Sequence, residues 1–207
     1  IVTLIAGKKD VWGMVLALLS SAVLLVMALV AFLQLDGRTI IYEMGNWKIP
    51  VGIPLVLDSL SGFMLVVVNL IAVTSILYSG QYIRHLGQDF KFYALFLLML
   101  AGMNGVLLTG DIFNLYVFME IALLAAFALV AFGCSAEEYE AAFKYAVMGA
   151  VSSALILIGI GALYSATSTL TMARIAEAVP TVPPKVILWV GGLFLAGFGL
   201  KAAAMPF

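Results

Sequence analysis

Charge is scarce in this chain. Only 10% of its 207 residues are charged while 65% are hydrophobic, too little ionic surface to solvate a water-soluble globule of this size. The solvent that fits such a composition is a lipid bilayer. Thiols are nearly absent: Cys134 has no partner for an internal disulfide and no second thiol for a metal site. As a small apolar residue near a helix end it is read as inert. Ten Lys and Arg against eleven Asp and Glu give a formal net charge of -1, with no basic block. The electrostatic term that drives nucleic-acid binding is therefore missing. Nothing matches a nucleophilic triad, a glycine-rich phosphate loop or a Cys/His metal cluster. Neither catalysis nor a cofactor is expected of this chain, and no secretory signal is recognisable.

What the sequence has is long apolar runs. A membrane span needs about 20 predominantly apolar residues, and six intervals qualify: 12–33, 59–80, 92–110, 112–134, 145–164 and 186–207. The expected fold is an all-α membrane protein, a polytopic bundle of transmembrane helices forming one domain over 1–207. Residues 1–7 are too short to span and suit the last turns of a helix whose beginning is absent. The opening on Ile1 and the stop at Phe207 inside a helical pattern lead to the expectation of a trimmed chain. Local signals mark the joints. Ser135-Ala136-Glu137-Glu138 is a capping box, followed by a Glu140/Lys144 pair four residues apart. Segment 35–57 contains Asp36-Gly37, Gly45-Asn46, Pro50, Gly52 and Pro54, which favours turns and short strands, hence a small extramembrane hairpin. A short interfacial helix is expected over 171–178, with Thr171 as N-cap and prolines beyond to stop it. Lys8, Lys9, Arg84, Lys91 and Lys144 fall on one side, Arg38, Lys48, Arg174 and Lys185 on the other; the excess favours the first side as cytoplasmic.

Two ionisable residues interrupt the apolar spans. Glu120 lies nine residues past Asp111, roughly 13 Å into the membrane at about 1.5 Å per residue. So short a side chain cannot snorkel, and a central charge costs on the order of 2.5 to 3.5 kcal/mol on insertion scales. Such residues face a bundle interior or water and take part in transport; the competing reading is a structural carboxyl held neutral or paired between helices. Lys201 lies in Gly199-Leu200-Lys201-Ala202-Ala203, and Pro206, lacking an N–H, removes the helical partner of the Ala202 carbonyl. The expectation is a helix break admitting water beside the lysine, with Gly191, Gly192, Gly197 and Gly199 allowing close approach of another helix. The alternative is a lysine near the end of its span that snorkels. Desolvation favours a neutral amine whereas a nearby carboxylate favours the ammonium, so a change in their separation moves a proton.

These residues lie within longer stretches. Tyr42-Glu43-Met44-Gly45-Asn46-Trp47, Asp58-Ser59-Leu60-Ser61, Ala101-Gly102-Met103-Asn104-Gly105 and Thr109-Gly110-Asp111 running through Phe118-Met119-Glu120-Ile121 are followed by Ala142-Phe143-Lys144-Tyr145 and Gly199-Leu200-Lys201 with Pro206. The whole resembles the antiporter-like membrane subunits of complex I, of Mrp-type antiporters and of membrane-bound hydrogenase and sulfur-reductase complexes, most nearly the Mrp D-type and archaeal hydrogenase-type members. That resemblance implies that Glu120 on the fifth helix and Lys201 on a broken seventh form the ion pair that drives proton movement. Full members have about fourteen helices in two inverted repeats, an internal symmetry known in transporters. This chain would supply the end of the first helix through the seventh, without the eighth-helix relay residue or the second repeat; either it is truncated or another chain supplies the rest.

Lys144 has two readings: a structural interfacial partner of Glu140, or a proton-entry residue and second partner for the carboxylate. His85, the only histidine, is read as a solvated loop residue, and Asp58 and Asp111 as positional. Asn69 and Asn104 are expected to bond across helices. The function expected is translocation of protons or sodium by a non-catalytic subunit of an energy-coupling complex in the plasma membrane. Its partners would be other membrane subunits, antiporter-like chains among them, and lipid. The rival is an assembly subunit retaining half of an antiporter fold as scaffold. A quinone- or redox-centre-binding role has no sequence feature behind it.

Overall fold

The computed structural model describes residues 10–48, 52–83 and 89–204. The Lys8-Lys9 end, Pro50, the Arg84-His85 loop and Pro206 lie outside the described residues. Six long helices carry the chain: α1 (Asp10–Gln34), α2 (Ser59–Tyr82), α3 (Asp89–Leu108), α4 (Ile112–Val130), α5 (Ala136–Thr167) and, after the short α6 (Met172–Ala178), α7 (Pro184–Lys201). All six are long and apolar enough to cross a membrane. Their outer faces expose large apolar side chains such as Leu33, Leu124, Trp189 and Leu195, which hydrocarbon can cover and water cannot. Among the described residues, this is a polytopic transmembrane helix bundle. The one sheet among the described residues is a hairpin of β1 (Ile40–Glu43) and β2 (Pro54–Leu57), with Ile40 opposite Leu57 and Glu43 opposite Pro54. Left-handed backbone at Asp36-Gly37 turns the chain from α1 towards β1, and at Gly45-Asn46 it turns the chain as it leaves β1.

Helix starts follow their caps. Asp58 accepts from the Ser61 N–H while the Ser61 hydroxyl accepts from the Asp58 N–H, closing a capping box on α2. Asp111 caps α4 through the Asn114 N–H, and Ser135 with Glu138 boxes α5. The α5 helix therefore begins at Ala136, outside the apolar run, and its 32 residues amount to about 48 Å, longer than a hydrocarbon core of about 30 Å. It must tilt or project. α4 stops at Val130, short of Cys134, whose φ of 60° ends any helical path. Thr171 occupies the N-cap position of α6 but its side chain caps nothing.

Between α3 and α4 the chain leaves helical geometry for Thr109 to Asp111, and an unpaired backbone group there would be costly in a membrane protein. Neighbouring segments satisfy it. Gly110 N–H donates to the Pro54 carbonyl at 2.9 Å, Met172 N–H donates to the Gly110 carbonyl at 2.9 Å, and Ile112 N–H donates to the Leu170 carbonyl at 2.9 Å. The hairpin, the start of α4 and the α5–α6 connection are thus tied together at one end of the bundle. Gly110 is needed for it: a Cβ there would stand 2.7 Å from Val56 Cγ2. Burial pushes the Asp111 carboxyl above the usual carboxylate range, against the lowering effect of the N–H groups it caps.

α1 packs on α2 and α3, α3 on α4, α4 on α5, and α5 on α7. The α3–α4 contact is close at Gly102, where a Cβ would meet the Ala122 nitrogen at 2.7 Å. Asn69 on α2 and Asn104 on α3 exchange amide hydrogen bonds of 3.0 and 3.2 Å, a bond across helices that hydrocarbon rewards.

Candidate functional site

Phe118 and Ala122 face α3 across Gly102. At about 100° per residue, Glu120 between them points to the opposite side of α4, towards α5. The middle of α5 offers Ser152 and Ser153, both buried. Ser152 donates to the Gly197 carbonyl on α7 at 2.7 Å, and Gly197 allows the approach, since a Cβ would lie 2.6 Å from Ile156. Gly191 and Gly192, by contrast, face open space and serve no helix contact within the described residues.

That joint carries Lys201 to the site. Its Nζ lies 3.3 Å from Glu120 Oε1 and 3.1 Å from Ser153 Oγ, while Ser153 donates to the same Glu120 oxygen at 2.5 Å. The Glu120 side chain is 29% exposed and that of Lys201 13%, so Lys201 is pinned to an internal carboxylate and does not snorkel. At 3.3 Å the gross attraction is about 5 kcal/mol with an effective dielectric constant near 20. This is of the order needed to offset the desolvation of the two ions.

Lys201 is also the last residue of α7, where the negative end of the helix dipole favours a cation. The chain turns at once: Ala203 has φ 50°, Ala203 N–H donates to the Leu200 carbonyl at 3.1 Å and Ala204 N–H to the Gly199 carbonyl at 2.9 Å. This double bond pattern is a Schellman-type stop. The helix expected over 186–207 therefore ends at Lys201, ahead of Pro206, and the Gly199 and Leu200 carbonyls are recaptured by the turn. Beside Lys201 opens a cavity of about 290 Å³ walled by Val68, Met103, Leu107, Met119 and Leu123.

Lys144 stands apart. It pairs with Glu140 on its own helix at 2.5 Å, with its side chain 71% exposed. Nine residues separate it from Ser153, about 13 Å along α5 and half a turn round it, so it meets neither Glu120 nor Lys201 directly. Sequence reasoning missed Ser153. The signal was there: two adjacent hydroxyls in the middle of an apolar run, where polar residues turn inward.

Residues 109–207 match the family described as NADH:quinone oxidoreductase/Mrp antiporter, transmembrane. NADH-quinone oxidoreductase subunit N of Desulforudis audaxviator is 40% identical over 168 residues, which is 80% of this chain and 33% of that protein. The D subunit of the Na(+)/H(+) antiporter of Alkalihalophilus pseudofirmus is 34% identical over 172 residues, 83% of this chain and 35% of that protein. Among solved structures, the membrane-bound sulfane sulfur reductase, an archaeal respiratory membrane complex, superposes with a TM-score of 0.85 at 34% identity, covering 90% of this chain and 38% of the matched one. The chain thus spans about a third of the length of the curated relatives it matches. The likeness extends over the helices that carry Glu120, Ser153 and Lys201, and it is residues 109–207 that match the NADH:quinone oxidoreductase/Mrp antiporter membrane family.

Proposed function

We propose that this chain is an ion-translocating, antiporter-like subunit of a larger energy-coupling membrane complex in the plasma membrane. The observation that carries the reading is the partly buried Glu120–Lys201 pair, built from two helices that hardly touch otherwise and set beside an apolar cavity. The separation of a carboxylate and an amine governs how strongly each favours the other's charged form, so movement of the two helices is coupled to proton movement. Protons are the ion such a pair suits; sodium is the alternative, supported by the name of the antiporter relative. Lys144 would act at a distance, as the cation at the exposed end of α5 towards which the carboxylate's field is redirected when it leaves Lys201. The chain itself would do no redox chemistry. Other membrane subunits and lipid would cover its apolar outer faces.

The test is Glu120→Gln in the full-length protein within its assembled complex, reconstituted into vesicles and assayed for ion uptake. Transport should be lost with subunit composition unchanged. Uptake at the wild-type rate would remove the pair from the mechanism and leave the scaffold role.

A further inference from the structure

Hydroxyl groups inside a transmembrane helix usually bond back to their own helix, and most in this bundle do. Ser21 bonds to the Leu18 carbonyl, Thr74 to those of Leu70 and Ile71, Ser79 to that of Ile76, and Thr167 to that of Leu163. Ser153 does otherwise. It is 5% exposed, and its one hydroxyl hydrogen goes to Glu120 Oε1 on α4 while its oxygen accepts from Lys201 Nζ on α7. α5 packs on both α4 and α7, so Ser153 bridges two helices that lack a packed interface with each other.

We infer that Ser153 is a proton relay between Lys201 and Glu120. The inference rests on the transport reading above and adds a third residue to its site. The direct Lys201–Glu120 separation of 3.3 Å is long for a charge-assisted N–H···O bond, which is ordinarily about 2.7 to 2.9 Å. The route through Ser153 has legs of 3.1 and 2.5 Å. In the step, the Lys201 ammonium gives a proton to Ser153 Oγ as the serine's own hydroxyl proton passes to Glu120 Oε1. One N–H bond breaks, one O–H bond forms on the carboxylate, and the serine is left chemically unchanged with its O–H turned towards Lys201. An ammonium and a carboxylate become an amine and a carboxylic acid, so the net charge of the site stays constant. Before the next passage the hydroxyl must rotate back about its Cβ–Oγ bond. Ser152, one residue earlier, holds α5 against Gly197 and keeps the three groups in register while this happens.

The experiment uses Ser153→Ala, Ser153→Thr and Ser153→Val beside Glu120→Gln in the full-length protein of the assembled complex, measuring ion uptake across a pH series. Thr keeps the hydroxyl; Val has nearly its shape without it. Ala and Val should lower uptake about tenfold or more and change the form of the pH profile, while Thr stays within about threefold of wild type. Three results overturn the relay: wild-type uptake and pH profile in Ser153→Ala with Glu120→Gln inactive; equal loss in Thr and Val; or failure of Ala and Val to assemble, which would make the hydroxyl structural. If Glu120→Gln is itself fully active, the failure lies in the transport reading and the relay falls with it.

Discussion

Replacing Lys201 by arginine separates the charge of this site from its ability to give up a proton. The ammonium sits 3.3 Å from Glu120, a gross attraction of about 5 kcal/mol at an effective dielectric constant near 20. A guanidinium retains it, with the cavity of about 290 Å³ at hand to accept the extra atoms. Stability should change by about 1 kcal/mol or less, the ordinary scale of a tolerated substitution. Deprotonation is another matter. The reference pKa of arginine exceeds that of lysine by about 2 units or more, so the neutral side chain is about 3 kcal/mol, or a hundredfold, harder to reach. Uptake by vesicles holding the assembled complex should fall by about that factor in Lys201→Arg, with subunit stoichiometry and melting temperature near wild type. Lys201→Ala should also transport poorly yet fold, because it removes an expensive charge and leaves Glu120 bonded to Ser153. An arginine variant that assembles and pumps normally would refute the argument and reduce Lys201 to fixed electrostatics.

Other parts of the structure are open to measurement in detergent-solubilised protein. Asn104→Leu, which leaves the buried Asn69 Oδ1 without its donor while Nδ2 keeps the Leu65 carbonyl, should cost about 1 to 2 kcal/mol in an unfolding titration, and the Asn69→Leu/Asn104→Leu pair should recover most of it; additive losses would argue against the cross-helix bond. Gly102→Val would set a Cβ 2.7 Å from the Ala122 nitrogen, must push α4 away and should lower the melting temperature sharply, whereas Gly192→Ala, which faces open space, should leave it unchanged. The two capping aspartates should respond to pH with opposite sign. Hydrogen bonds from the backbone N–H and hydroxyl of Ser61 hold the Asp58 carboxyl below its usual range, so its contribution to stability is present above the unfolded-state value and fades as pH falls through the lowered one. Burial raises Asp111, so stability there is fullest below the unfolded-state value and declines as pH rises through the raised one; Asp111→Asn, which keeps a capping side chain, should remove that decline in melts taken between pH 3 and 8.

Much of this protein was legible without coordinates, for physical reasons. Hydrocarbon demands about 20 apolar residues per crossing, so charge-free runs mark the helices, and caps such as Ser135-Ala136-Glu137-Glu138 mark their starts through local hydrogen bonds. A carboxylate in the middle of an apolar run has so few stable environments that Glu120 declared itself. The chain alone also linked Lys201 with a helix break, although the break comes at Ala202 and Ala203 by backbone geometry that no residue type there signals. The tertiary structure decided which polar groups meet. Helical periodicity turns Lys144 half a turn away from Ser153 and leaves it with Glu140. The approach of α7 to α5 at Gly197, and of α4 to α3 at Gly102, brings Ser153 between Glu120 and Lys201, residues 81 positions apart in the chain. Contacts of that kind depend on the packing of three helices at once, and spacing along a single sequence carries no record of it.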